Sequence, residues 1–64
     1  GRRNFRLSCV AAKNLLATHR LSEHDIIFQR PGTGLPPKAK SWLLGRELAH
    51  NVSVGHVFIQ GDFK

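Results

Sequence analysis

Four histidines, one cysteine, four carboxylates and ten Lys/Arg are the side chains of this 64-residue chain that could do chemistry. His19, His24, His50 and His56 are the candidates for metal ligation or proton transfer. A zinc site wants four nitrogen or sulfur ligands at close spacing, commonly with paired cysteines. Here there is one cysteine and no H-x-x-x-H, so the spacing excludes a zinc motif. His19 and His56 read as exposed turn residues. Cys9 falls on the apolar side of a strand pattern and reads as a small buried hydrophobe. A catalytic thiol needs a base and an orienting partner, and the sequence offers neither beside it. Asp25 and Asp62 follow small turns, where a carboxylate accepts from free backbone N–H groups. Capping accounts for both better than an acid–base pair. Gly32-Thr33-Gly34 lacks the G-x-x-x-x-G-K-[ST] spacing of a nucleotide loop. No catalytic set emerges.

Arg30 stands apart. It precedes Pro31, which pushes its backbone away from the helical region. Pro31-Gly32 predicts a type II turn, with proline presetting the first central position and glycine taking the positive φ of the second. A stiff corner then presents a guanidinium, whose planar fork binds carboxylate, phosphate or carbonyl oxygens with defined geometry. The other reading is an arginine that caps carbonyls or lies on the surface.

The elements that would position Arg30 are short. Phe5, Leu7, Cys9 and Ala11 alternate with Arg6, Ser8 and Val10, the period of a half-buried strand. Ser22-Glu23-His24-Asp25 resembles a capping box and predicts one helical turn. Ile26 to Phe28 reads as a second short strand. Pro36-Pro37 opens a helix of about two turns. Its apolar face is Ala39, Trp42 and Leu43, and Gly45 is its left-handed cap. Leu48 to Phe63 reads as short strands around a Val54-Gly55 turn.

An internal repeat recurs at an offset of 37. Ala12, Asn14, His19 and Asp25 are matched by Ala49, Asn51, His56 and Asp62. Leu15 aligns with Val52, Leu21 with Phe58 and Ile26 with Phe63. Two copies of one strand–turn–strand unit predict a pseudo-twofold fold in which each half covers the other's apolar side.

Composition bounds the rest. A chain of this length makes one domain with a small core. A single cysteine rules out an internal disulfide. It fits a reducing compartment, so the cytoplasm is the expected location. No apolar run reaches the roughly 20 residues that span a bilayer, and no signal peptide is visible. The N-terminus reads as a cut within a longer protein. The net charge of +6 admits nucleic acid, anionic lipid or an anionic substrate. The basic residues are scattered, and no aromatic lies in a Lys/Arg-rich ribonucleoprotein motif. A nucleic-acid or membrane partner is not expected.

With these residues in view, the chain resembles the antifreeze-like (SAF) domain that ends sialic acid synthases and their pseudaminic and legionaminic acid relatives. Phe5 to Ala12 resembles the family's opening strand. Lys13-Asn14-Leu15 through Ile26 resembles its first turn and short helix. Phe28-Gln29-Arg30-Pro31-Gly32-Thr33-Gly34-Leu35 resembles its Lys-Arg-Pro-Gly-x-Gly-Ile signature. Leu43-Leu44-Gly45-Arg46 and Val54 to Phe63 resemble its closing steps. Thr18 stands where the family usually has glycine, Gln29 where it has lysine and Leu7 where it has arginine. The resemblance implies a small mostly-β fold with short helical turns, the β-clip. Residues 1–6 would end an interdomain linker and 7–64 would form the domain. It implies no catalytic residue and no cofactor here. A divalent metal would sit in an N-terminal TIM barrel that condenses phosphoenolpyruvate with an N-acylated amino sugar resembling N-acetylmannosamine. It also implies a domain-swapped homodimer, in which this domain caps the partner's barrel. Arg30, supported by Pro31, Gly32, Thr33 and Gly34, would contact the sugar there. Fish type III antifreeze proteins share the fold, so a stand-alone ice binder is the alternative. Such a protein needs a flat, neutral face, and ten basic residues with an Arg-Pro-Gly turn argue against it.

Overall fold

The computed structural model describes residues 6–64. Two strands pair antiparallel: β1, Ser8–Ala11, and β2, Ile26–Gln29. Their register sets Ser8 opposite Gln29 and Ala11 opposite Ile26. Between them lie a turn and a 3-10 turn, Glu23–Asp25, which opens where the Asp25 carboxylate accepts from the Ser22 N–H at 2.8 Å. A second 3-10 turn, Pro37–Ala39, runs into the one α-helix among the described residues, α1, Lys40–Leu43. Together they make the two helical turns expected after Pro36-Pro37. Gly45, at φ 82°, ends them in the left-handed conformation that glycine takes without steric penalty. A third 3-10 turn is Gln60–Asp62.

The 37-residue repeat organises the backbone. Ala11 N–H donates to His56 O, and its counterpart Leu48 N–H donates to His19 O. Thr18 N–H bonds Leu48 O, and Gly55 N–H bonds Ala11 O. Leu21 N–H bonds Arg46 O, and Phe58 N–H bonds Cys9 O. Leu15 and Val52 exchange both of their backbone bonds with each other at 2.9 Å, which places them on the pseudo-twofold axis. The side chains repeat the pattern, since Asn14 Oδ1 accepts from Val54 N–H and Asn51 Oδ1 from Ala17 N–H. The core draws on both halves: Ala11 with Leu48, Leu15 with Val52, Leu21 with Phe58, together with Cys9, Ile26 and Leu43. Trp42, Leu35 and Phe63 pack against it from partly buried positions.

Three expectations are corrected. β1 is not half-buried: Ser8, Cys9, Val10 and Ala11 are all buried, while Leu7, assigned to the inner face, is 38% exposed. Cys9 and Ala11 face the core, and the Pro31–Gly34 turn lies over Ser8, so both faces of the strand are covered. Leu48 to Phe63 forms single bridges at Leu48, Val52, Val57 and Phe63 with a 3-10 turn, not strands, because its partners change every few residues. The Pro31-Gly32 turn is not type II: the Arg30–Pro31 peptide is cis, and Gly32 is not among the residues with positive φ. Phe5 and the linker assigned to residues 1–6 fall outside the described residues, apart from Arg6.

Candidate functional site

The turn carrying Arg30 is fixed from beneath. Ser8 is wholly buried, and its hydroxyl makes two hydrogen bonds to this turn. It donates to Pro31 O at 2.5 Å and accepts from Gly34 N–H at 3.0 Å. One residue on, Leu35 is pinned twice: its N–H donates to Phe58 O at 2.9 Å, and its carbonyl accepts from Cys9 N–H at 2.7 Å. The segment is thus tied at residues 31, 34 and 35 to β1 and to the second half.

The two glycines permit close approach. A β-carbon on Gly32 would lie 3.0 Å from the Arg6 carbonyl carbon and oxygen and would overlap the Arg6 side chain. One on Gly34 would lie 2.6 Å from Phe58 O and overlap Val57. Glycine at both positions lets the turn press onto Arg6 on one side and Val57 and Phe58 on the other, a different reason from the backbone freedom that the sequence suggests for Gly32. Arg30, Pro31 and Thr33 remain exposed on the outer side. Arg30 is therefore presented to solvent from a corner whose underside is anchored.

The histidines do not gather into a metal centre. Among the described residues, no three His, Cys, Asp or Glu could hold a metal ion. His19, His50 and His56 pair instead with the two buried aspartates. Asp25, 1% exposed, accepts from His19 Nε2 at 2.7 Å, Ser22 Oγ at 3.1 Å and Ser22 N–H, and Lys13 Nζ lies 3.3 Å away. Burial pushes this carboxyl up, but the bonds from His19, Ser22 and Lys13 outweigh it and hold it at about 2. Asp62 repeats the arrangement with His56 Nε2 at 2.8 Å, Ile59 N–H at 2.9 Å and His50 Nε2 at 3.0 Å. Lys13 and His50 are equivalent positions, as are His19 and His56. Capping explains both aspartates as expected, but His19 and His56 are more than exposed turn residues. Each braces its half through a buried carboxylate. The paired recurrence of His and Asp at the same offset was the available signal.

His50 has an acceptor at each ring nitrogen, Asn51 O on Nδ1 at 3.0 Å and Asp62 on Nε2. Only the imidazolium can donate to both, so its pKa is raised, first by the Asn51 carbonyl and then by Asp62. Cys9 is buried and its Sγ–H points to Pro36 O at 3.3 Å; burial pushes the thiol up, so it stays protonated and inert. One open cleft lies elsewhere, lined by Arg20, Trp42, Arg46, Glu47 and Lys64. Arg46 stacks on the Trp42 ring at 3.9 Å, while Glu47 bridges Arg20 and Lys64. These groups satisfy one another.

The described residues form a small, mostly-β clip of two equivalent halves that carries one anchored Arg-Pro-Gly-Thr-Gly corner. The SAF domain model matches residues 8–63, and the chain belongs to that family. It is similar to the pseudaminic acid synthase of Campylobacter jejuni subsp. jejuni serotype O:2, with 34% identity over 62 residues. The match covers 97% of this chain and 18% of that protein's length. No helix among the described residues is long and apolar enough to cross a membrane.

Proposed function

We propose that this chain is the substrate-capping domain of a sialic-acid-synthase-type enzyme, which condenses phosphoenolpyruvate with an N-acylated amino sugar. It acts on a TIM barrel of the same enzyme, across a homodimer, and supplies Arg30 to the sugar bound in the partner's site. The observation that carries this reading is the anchored turn: Arg30 is exposed, while Ser8 and Leu35 hold residues 31, 34 and 35 below it. The similarity to a pseudaminic acid synthase supports the class of enzyme. In this reading the divalent ion would act in the barrel, and Arg30 contributes binding and orientation.

The test is Arg30→Ala in the full-length enzyme. A charged hydrogen bond in a closed site contributes roughly 1.5–3 kcal/mol, so sugar-dependent kcat/KM should fall on the order of 10- to 150-fold. Arg30→Lys should rescue in part, because an ammonium cannot reproduce the planar fork. Mixed dimers test the exchange between subunits. Arg30→Ala chains combined with barrel-dead chains leave one intact barrel capped by an intact Arg30. That site should recover near-normal activity. An unchanged kcat/KM for Arg30→Ala refutes the role of Arg30, and absent complementation in verified mixed dimers refutes the exchange.

A further inference from the structure

We propose that Ser8 is a positioning residue for Arg30: its buried hydroxyl fixes the Pro31–Gly34 turn and so sets where the guanidinium is held. The inference rests on the capping reading of Arg30 and adds to it a residue that never meets the sugar. Ser8 lies on β1, directly opposite Gln29, the last residue of β2. Its side chain is fully enclosed. The hydroxyl donates to Pro31 O and accepts from Gly34 N–H. These two groups flank Gly32 and Thr33, so one oxygen closes the base of the turn.

The geometry makes the coupling obligatory. No buried side-chain nitrogen or oxygen among the described residues is left without a partner. If the turn lifts, the Ser8 hydroxyl loses both of its bonds at once and exchanges them for water. If the hydroxyl is removed, Pro31 O and Gly34 N–H lose their partner instead. Leu35 is bonded to Phe58 and Cys9 but lies beyond Gly34, whereas Ser8 bonds Pro31 itself and pairs in the β ladder with Gln29 on the other side of Arg30. The glycines do not substitute for the clamp, because they only remove bulk from Arg6, Val57 and Phe58. Arg30 adjoins the clamped residue through one peptide bond. A shift at Pro31 therefore moves the origin of the Arg30 side chain directly, and small misplacements of a binding group are costly to a rate.

The test is a double-mutant cycle in the full-length enzyme with Ser8→Ala, Arg30→Ala and the pair. Ser8→Ala should lower sugar-dependent kcat/KM on the order of tenfold, leaving the KM for phosphoenolpyruvate unchanged. In the Arg30→Ala background it should have no further effect on the sugar, since no guanidinium remains to be positioned. Amide exchange at Gly34 should quicken in Ser8→Ala. Losses that multiply would show a general structural role and overturn the proposal, as would a Ser8→Ala enzyme with normal sugar kinetics while Arg30→Ala is impaired. If Arg30→Ala alone is silent, the capping role of Arg30 has failed, and the positioning role falls with it. Should Ser8→Ala not fold, as judged by circular dichroism, Ser8→Cys replaces the hydroxyl by a somewhat larger and weaker donor and carries the same cycle.

Discussion

Thr18 sits at φ 74°, in the left-handed region that β-branched residues avoid. Its partner in the second half is Gly55, at φ 88°, and their N–H groups make equivalent bonds across the axis. The two halves need the same backbone shape there, and one meets it with the wrong residue type. The strain is about 1–2 kcal/mol, offset by the greater freedom glycine has when unfolded, about 0.5–1 kcal/mol. Thr18→Gly should therefore stabilise the chain by about 0.5–1 kcal/mol, raising Tm by a few degrees. A thermal melt checks it, and a lower Tm would contradict the strain. At this scale the sequence is uneven as a guide. Arg30 drew notice because proline and glycine follow it, although the turn they make is not the type II turn they suggest. Ser8 was not, because a serine in an alternating strand reads as a solvent-side residue until a turn folds over it.

Asp25, and His50 beside the second 3-10 turn, make stability respond to pH in opposite senses. Asp25 titrates at about 2 in the folded chain against an ordinary 3.8. A lowered carboxyl stabilises the fold above its unfolded pKa and loses that contribution as pH falls toward the folded value. Asp25 should thus contribute at most about 2 kcal/mol at neutral pH, lost between about pH 4 and pH 2. Asp25→Asn should flatten this acid limb in urea titrations at successive pH values. His50 works in the opposite sense. Its raised pKa means that its contribution is complete below about 6.5 and fades as pH climbs through the folded value. Lys13 holds the same place in the first half, with its Nζ 3.3 Å from Asp25. His50→Lys should remove the neutral-range slope while leaving the acid limb, and an unaltered slope would rule out His50 as its source. The 3-10 turn at Glu23–Asp25, β2, the helix opening at Pro37 and its Gly45 cap were readable from capping residues, prolines and glycine. The turn type at Pro31-Gly32 was not, because close packing against Arg6, rather than intrinsic backbone preference, decides the shape there.

The whole molecule is held by exchange between halves, and its core is correspondingly shared. Leu48, fully buried, contacts the first half through bonds to His19 and Thr18 and belongs to the common cluster. A buried Leu→Ala change costs about 2–5 kcal/mol, against a total of about 3–5 kcal/mol for so small a core. Leu48→Ala should leave the chain largely unfolded at 25 °C by circular dichroism, and a native-like spectrum with an unchanged Tm would mean the halves stand more independently than their bonding implies. The repeat was visible in the sequence because the paired positions keep their polar and apolar character, although few are identical. Its interleaving was not, since an offset between similar segments carries no record of which segment bonds to which.

Residues 27–45 fall between the two repeated units and have no twin. They hold the Arg30 corner and α1, so the clip is a symmetric frame with a single insert. Most bonds that tie one half to the other belong to the frame, while the insert meets it along Ile27–Gln29, which pair with β1, and at Ser8, Cys9, Leu21 and Phe58. In the capping proposal, fold and recognition are in this way separated along the chain. The outer residues of the insert, Arg30, Pro31 and Thr33, can then change with the sugar without disturbing the bonds that tie the two halves together.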